Sequence, residues 1–193
     1  MGIEFELKYK ATPAQQEALL AQFPGAVRTI SMETTYYDTP DRYLSRQKIT
    51  LRRRLENGVS VCTLKTPAGP LGRGEWECLC DDIQTAVPEL CKLGAPELML
   101  LLTIAKLEPT CGARFTRRAL DIENEAFTAE LALDNGVLLG GGREEPLCEV
   151  ELELKSGDAG AMTAYAEFLA LRHGLSPEPH SKFRRAKALA EGA

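Results

Sequence analysis

Glu4, Glu6 and Lys8 in IEFELKY, and Glu149, Glu151 and Glu153 in CEVELEL, stand at alternate positions near the two ends of a 193-residue chain. In an extended strand, side chains alternate between faces. Each charged trio therefore projects from one face, while Ile3, Phe5, Leu7, Val150, Leu152 and Leu154 project from the other. Neighbours on the charged face are about 6.7 Å apart. Carboxylates at that spacing repel one another, which raises their pKa unless a cation lies between them. A divalent metal ion is the simplest such cation.

One strand of this kind is ordinarily the wet face of a half-buried antiparallel sheet. Here the pattern recurs with both charge signs: Arg52 and Arg54 alternate in TLRRRLE, Lys65 ends VCTLK, Glu75 and Glu77 flank Trp76, and Arg117 ends RFTR. Solvated faces carry Thr, Ser, Gln and scattered charges instead, so the repetition points to a charged interior. Such an interior holds water, ions and ligand, because unpaired buried ions cost several kcal/mol each. Lys8, Arg52, Arg54, Lys65 and Arg117 suit a chain of phosphates, Arg offering a planar fork and Lys a point charge. Glu4, Glu6, Glu75, Glu77, Glu149, Glu151 and Glu153 suit magnesium or manganese, which prefer oxygen ligands. Lys182 and Arg185 share a face of a helix that begins after Ser181, and its N-terminus favours an anion. Parity alone leaves open a lipocalin-like carrier, with the charges outside and the apolar residues lining the cavity.

The elements that would position these residues can be read in order. A strand over residues 2–10 ends at Thr12-Pro13-Ala14-Gln15, a capping box with Pro at the first helical position. A helix to about residue 22 follows, then a strand entering Tyr36-Tyr37-Asp38 and a turn at Thr39-Pro40-Asp41. Tyr36 and Tyr37 alternate, so at most one faces inward, and Asp38 and Asp41 are ordinary turn residues. Asn57-Gly58 signals a two-residue hairpin between the arginine and Lys65 strands. A strand at 73–80 precedes helical material over 84–106, with Pro96 a helix start. Strands at 113–122 and 126–133 follow, with Asp134-Asn135-Gly136 read as a turn before the Glu149 strand. An Ala-rich helix then runs to Gly174, a left-handed cap position. The spacing predicts a mainly β (α+β) fold: an eight-stranded antiparallel barrel with flanking helices.

Composition permits such a core and narrows the partners. Hydrophobic residues make up 44%, and 28 acidic against 23 basic residues leave a net charge of −5. That balance argues against a nucleic-acid coat but not against a local cationic pocket. Six cysteines, at 62, 78, 80, 91, 111 and 148, follow no paired spacing, and the start lacks a secretory pattern, so reduced thiols and a cytoplasmic location are expected. Cys78 and Cys80 read as packing residues on the face of Trp76, since no further pair completes a zinc site. The longest apolar run, near Leu98 to Ala105, is too short to span a bilayer. His173 and His180 lack a partnered nucleophile.

Taken in order, Glu4-x-Glu6-x-Lys8, Tyr36-Tyr37-Asp38-Thr39-Pro40-Asp41, Leu51-Arg52-x-Arg54, Thr63-Leu64-Lys65, Arg73-x-Glu75, Phe115-x-Arg117, Glu149-x-Glu151-x-Glu153 and Ser181-Lys182-x-x-Arg185 resemble the CYTH superfamily, the triphosphate tunnel metalloenzymes. The resemblance covers nearly the whole chain and is greatest to bacterial inorganic triphosphatases. It implies an eight-stranded tunnel, one domain over residues 1–193 without an appended helical CHAD domain, and metal-dependent (Mg2+ or Mn2+) hydrolysis of tripolyphosphate to phosphate and diphosphate. Within it, Glu4, Glu6, Lys8 and Glu151 are the catalytic candidates. Lys8, Arg52, Arg54, Lys65, Arg117, Lys182 and Arg185 would bind the triphosphate, with Arg117 chosen over Arg114 and Arg118 by its place two after Phe115. Glu4, Glu6, Glu75, Glu77, Glu149, Glu151 and Glu153 would serve the metal. The alternatives are a thiamine triphosphatase or a class IV-type adenylyl cyclase, for which no dedicated aromatic cluster is evident, and a non-catalytic polyphosphate-binding module. The expected partner is a small-molecule triphosphate, not nucleic acid or membrane.

Overall fold

The computed structural model describes residues 5–67 and 73–192, so Glu4 lies outside the described residues. The strands are β1 (Glu6–Lys10), β2 (Arg28–Asp38), β3 (Thr50–Glu56), β4 (Val59–Pro67), β5 (Arg73–Leu79), β6 (Glu108–Glu123), β7 (Phe127–Gly140), β8 (Arg143–Gly157) and the two-residue β9 (Ser176–Pro177). The helices are α1 (Pro13–Leu20), α2 (Tyr43–Arg46), α3 (Ile83–Gly94), α4 (Met99–Ile104), α5 (Ala159–His173) and α6 (Lys182–Glu191). All ladders are antiparallel, in the order β5-β4-β3-β2-β6-β7-β8-β1-β9. The mainly β class with flanking helices is as expected. The closed eight-stranded barrel is not: among the described residues no ladder joins β5 to β1, and β1's other edge pairs with β9 at Tyr9 and Lys10.

Several local signals act as the sequence implied. Thr12 and Gln15 form the capping box. Asn57 and Gly58 take φ of 50° and 86°, the left-handed pair that a tight hairpin requires. Asp38 is buried and accepts hydrogen bonds from the backbone N–H groups of Thr39, Leu44 and Ser45, tying α2 to the end of β2. Another expectation gives way. Asp134-Asn135-Gly136 does not turn, because β7 runs straight through it and the hairpin falls at Gly141 and Gly142, with φ of 58° and 74°. The helical material over 84–106 is as expected: α3 is followed by a short 3-10 turn that starts at Pro96 and leads into α4.

The two faces of the sheet carry different cores. On the convex face, Leu131, Leu133, Val150 and Leu152 pack with Leu19 of α1 and Met162, Ala166 and Leu169 of α5. Leu51, Cys62 and Leu64 pack beneath α3, with Trp76, Cys78 and Cys80 at their margin. All six cysteines are free. Helix α6 lies on the opposite, concave face: Ala186 joins Met32, Tyr36, Cys111, Ala113, Phe115, Leu138 and Leu147 in one cluster. It approaches the β7–β8 hairpin so closely that a Cβ on Gly140 would stand 2.4 Å from the carbonyl oxygen of Ala186. Gly140→Ala should therefore displace α6 and destabilise the protein by about 1–3 kcal/mol, read as a lowered Tm.

Candidate functional site

The concave face that α6 leaves open is a cavity of about 630 Å³. Its described lining residues include six cations (Lys8, Arg52, Arg54, Lys65, Arg117 and Lys182) and six carboxylates (Glu6, Glu56, Glu75, Glu77, Glu151 and Glu153). The lipocalin-like arrangement is thereby excluded, since the charged side of each strand faces in. The formal charges cancel, so any ligand must either break internal ion pairs or bring its own compensation.

Ladder register places the groups. On one flank Glu6 stands opposite Glu153 and Lys8 opposite Glu151, and the Lys8 ammonium lies 2.8 Å from Glu6 and 3.3 Å from Glu151. On the other flank Arg52 lies 3.4 Å from Glu75 and 3.6 Å from Glu77. Lys65 lies 3.0 Å from Glu75, and the Thr63 hydroxyl donates to Glu77. Arg54 meets Glu56 at 3.2 Å. The Nε groups of Arg52 and Arg54 are buried and have no acceptor among the described residues. Burial, then the like charge of Arg52 and, less, that of Arg117, lowers the Arg54 pKa, against the opposing effects of Tyr36 and Glu56.

At the cavity's inner end the charges are tightly interlocked. Arg117 donates two 2.8 Å hydrogen bonds to Asp134 and a third to Glu151. Lys182, the first residue of α6 after its Ser181 cap, directs its ammonium to Asp134 and Glu151 at 2.7 Å each and to Glu149. Burial alone would lower the Lys182 pKa, but Glu151, Asp134 and Glu149 outweigh it and raise it. Burial likewise works against ionisation of Glu151, yet Lys182, Arg117 and Lys8 hold its carboxyl well below the usual range. Glu6 is pushed up, first by burial and then by Glu151, and Glu149 is pushed up chiefly by burial.

The expected site residues thus divide. Glu6, Lys8, Arg52, Arg54, Lys65, Glu75, Glu77, Arg117, Glu151, Glu153 and Lys182 meet at the cavity. Glu149 is wholly buried behind it, and Arg185 turns to Glu149 and Glu178. Arg114 and Arg118, on the other face, pair with Glu144 and Glu17. Sequence reasoning passed over Glu56, although it continues the 52/54/56 parity. It also passed over Phe183, whose ring stands 4.9 Å from that of Tyr36 at the cavity wall. Asp134, which reads in the sequence as a turn residue that could touch metal-bound water at the rim, is instead fully buried and paired with Arg117 and Lys182.

Asp134, Glu149 and Glu151 bring carboxylate oxygens within 4.8 Å of one another. A buried set of oxygen donors matches the preference of magnesium or manganese, and the repulsion between Glu6 and Glu151 is the kind a divalent ion relieves. The residues present therefore fit such an ion.

A family model described as the CYTH domain matches residues 2–186. The chain belongs to the CYTH domain family. It is 30% identical over 190 residues to an inorganic triphosphatase of Haemophilus influenzae, covering 94% of this chain and 53% of that protein. It is also 30% identical over 192 residues to a thiamine-triphosphatase of Macaca fascicularis, covering 97% of this chain and 76% of that one. The chain thus spans about half the length of the first of these relatives. Solved structures share the CYTH fold: a Hippeastrum protein described as revealing a dominant triphosphatase activity has a TM-score of 0.68 at 18% identity, covering 100% of this chain and 96% of that one. The Pyrococcus horikoshii protein PH1819 has a TM-score of 0.65 at 22% identity, covering 98% and 99%. No helix among the described residues is long and apolar enough to cross a membrane, which says nothing of crossing by strands.

One supporting contact of this CYTH domain comes from outside the cavity. Gln16 of α1 is fully buried and donates from Nε2 to the backbone carbonyls of Asp134 and Glu149, at 3.0 and 2.9 Å. It holds together the backbones of two cross-strand partners whose side chains carry the inner carboxylates. Gln16→Leu should leave both carbonyls without this donor and cost about 1–3 kcal/mol, measured by urea unfolding.

Proposed function

We propose that this chain is a metal-dependent triphosphatase acting on inorganic tripolyphosphate, which it splits into phosphate and diphosphate. The observation that carries the reading is that the buried Nε–H groups of Arg52 and Arg54 have no acceptor among the described residues, in a cavity that also gathers Lys8, Lys65 and Arg117. Buried donors without acceptors are costly, and phosphate oxygens supply the missing acceptors. Fourteen of the sixteen described lining residues are polar or charged, which suits a wholly ionic substrate.

In this reading Arg52, Arg54 and Lys65 grip one end of the phosphate chain, while Lys8 and Arg117 hold it against the β1–β8 flank, so that the scissile bond is fixed in line. Glu6, Glu151, Glu149, Glu153 and Asp134 would hold Mg2+ or Mn2+, with Glu75 and Glu77 on the facing wall, and a bound ion would supply Lewis-acid charge at the phosphoryl oxygens. In this reading the carboxylate oxygen of Glu6 that the ion leaves free accepts the proton from the attacking water. The water oxygen forms the new P–O bond. The electron pair of the broken P–O bond leaves on the diphosphate oxygen, and no covalent enzyme intermediate is required.

A second reading is a thiamine triphosphatase, supported by the Tyr36 and Phe183 rings at the cavity wall. Phosphate release from tripolyphosphate, thiamine triphosphate and ATP, with Mg2+, Mn2+ or EDTA, discriminates the two. Chelator-sensitive release fastest from tripolyphosphate is expected. Preference for thiamine triphosphate would install the second reading, and cyclic AMP from ATP would overturn both. Glu6→Gln should abolish metal-dependent turnover with the fold retained by circular dichroism. Arg54→Ala should lower kcat/KM for tripolyphosphate by about 10- to 100-fold, the loss of one charge-assisted contact.

A further inference from the structure

The Lys182 ammonium contacts all three carboxylates that could together hold a metal ion. It lies 2.7 Å from Asp134 and from Glu151 and makes a still closer contact with Glu149. These are the same three carboxylates whose oxygens converge within 4.8 Å. All three are buried, two of them completely. A lysine head group has three N–H donors and no more, so with three carboxylates as acceptors it has nothing left for a phosphate. Lys182 also borders the cavity. It therefore has two possible sets of partners and cannot serve both at once.

We infer that Lys182 is a built-in competitor for the divalent ion, and that its ammonium sets how tightly the Asp134–Glu149–Glu151 cluster binds metal. The inference rests on the triphosphatase reading for its purpose. Charge counting gives the reason. Asp134, Glu149 and Glu151, with Glu6, are balanced by Lys182, Arg117, Arg185 and Lys8, each in direct contact with at least one of them. Exchange of the ammonium for a divalent ion adds one positive charge to the cluster. The released ammonium adds a second at the cavity, and a phosphate chain neutralises both. Metal and phosphate thereby favour each other's binding through one side chain.

The scaffold suits such an exchange. The Lys182 backbone is fixed: the Ser181 side chain caps α6 by accepting from Arg184 N, and Ala186 locks the helix into the concave core. What can move is the four-carbon stem, a flexible tether that carries a point charge. The ammonium already stands 5.1 Å from the centre of the Phe115 ring, a cation–π neighbour as the head group shifts. Arg117 and Arg185 are held by bonds to Asp134 and Glu178, and Lys8 stays 3.3 Å from Glu151, so the cluster keeps three cations when Lys182 leaves.

The test is a manganese titration of the substrate-free protein, with free Mn2+ read by electron paramagnetic resonance, for the unsubstituted chain and for Lys182→Met. The expected result is a Kd lower by about tenfold or more in the variant, since a cation in direct contact with the ligands has been removed. Equal or weaker binding would make Lys182 a structural pin and overturn the inference. If the variant does not fold, the unsubstituted protein still decides. Its buried Lys182 ammonium should give a slowly exchanging 15N resonance that shifts or vanishes on addition of Mg2+. A resonance unchanged at saturating Mg2+ would equally refute the exchange. Neither measurement needs substrate, so a protein that passes both yet releases no phosphate from any triphosphate would sink the triphosphatase reading alone.

Discussion

The constraint on which the structure depends is charge neutrality inside a concave sheet. Six cations and six carboxylates line the described cavity, and further ionic groups lie behind it. Desolvating any one of them alone would cost more than a typical domain can spare. They are tolerated because strand register sets opposite signs beside each other: Lys8 across from Glu151, Arg117 across from Asp134, Lys65 across from Glu75. The convex side then carries the ordinary work of stability, with two apolar clusters roofed by helices. Ligand chemistry and core packing are thus divided between the two faces of the same strands.

That division explains what was legible in the sequence. Alternation reports face, and face was enough to bring Glu6, Lys8, Arg52, Arg54, Lys65 and Glu151 together. It does not report depth. Glu149 shares the parity of Glu151 but lies two residues earlier on β8, under Lys182 and Arg185 of α6, so it is fully buried behind the cavity wall. Arg185 shares a helix face with Lys182, yet one turn on it meets Glu149 and Glu178 instead of open space. Nothing in the spacing of a helix says which of two basic residues reaches the end of a pocket.

Asp134 shows the opposite failure. Asp-Asn-Gly is a strong local turn signal, but Arg117 pairs with the Asp134 carboxylate from β6 and Gln16 holds its carbonyl from α1. These long-range partners keep the segment extended. The adjacent glycine serves another need: a Cβ on Gly136 would stand 2.2 Å from the carbonyl oxygen of Arg114, so the residue allows two strands to approach. The turn moves to Gly141 and Gly142, whose left-handed backbone a tight hairpin requires. Here the tertiary ion pair outranked the local propensity.

The missing ladder between β5 and β1 also bears on how the cavity behaves as a solid object. In a sealed barrel, strand number and stagger fix the bore. Here, among the described residues, no backbone ladder ties the bank that carries Glu75 to the bank that carries Glu6. The bore of this trough is therefore not set by a closed ring of strands, and the ion pairs along each bank carry the task of holding its charged walls in place.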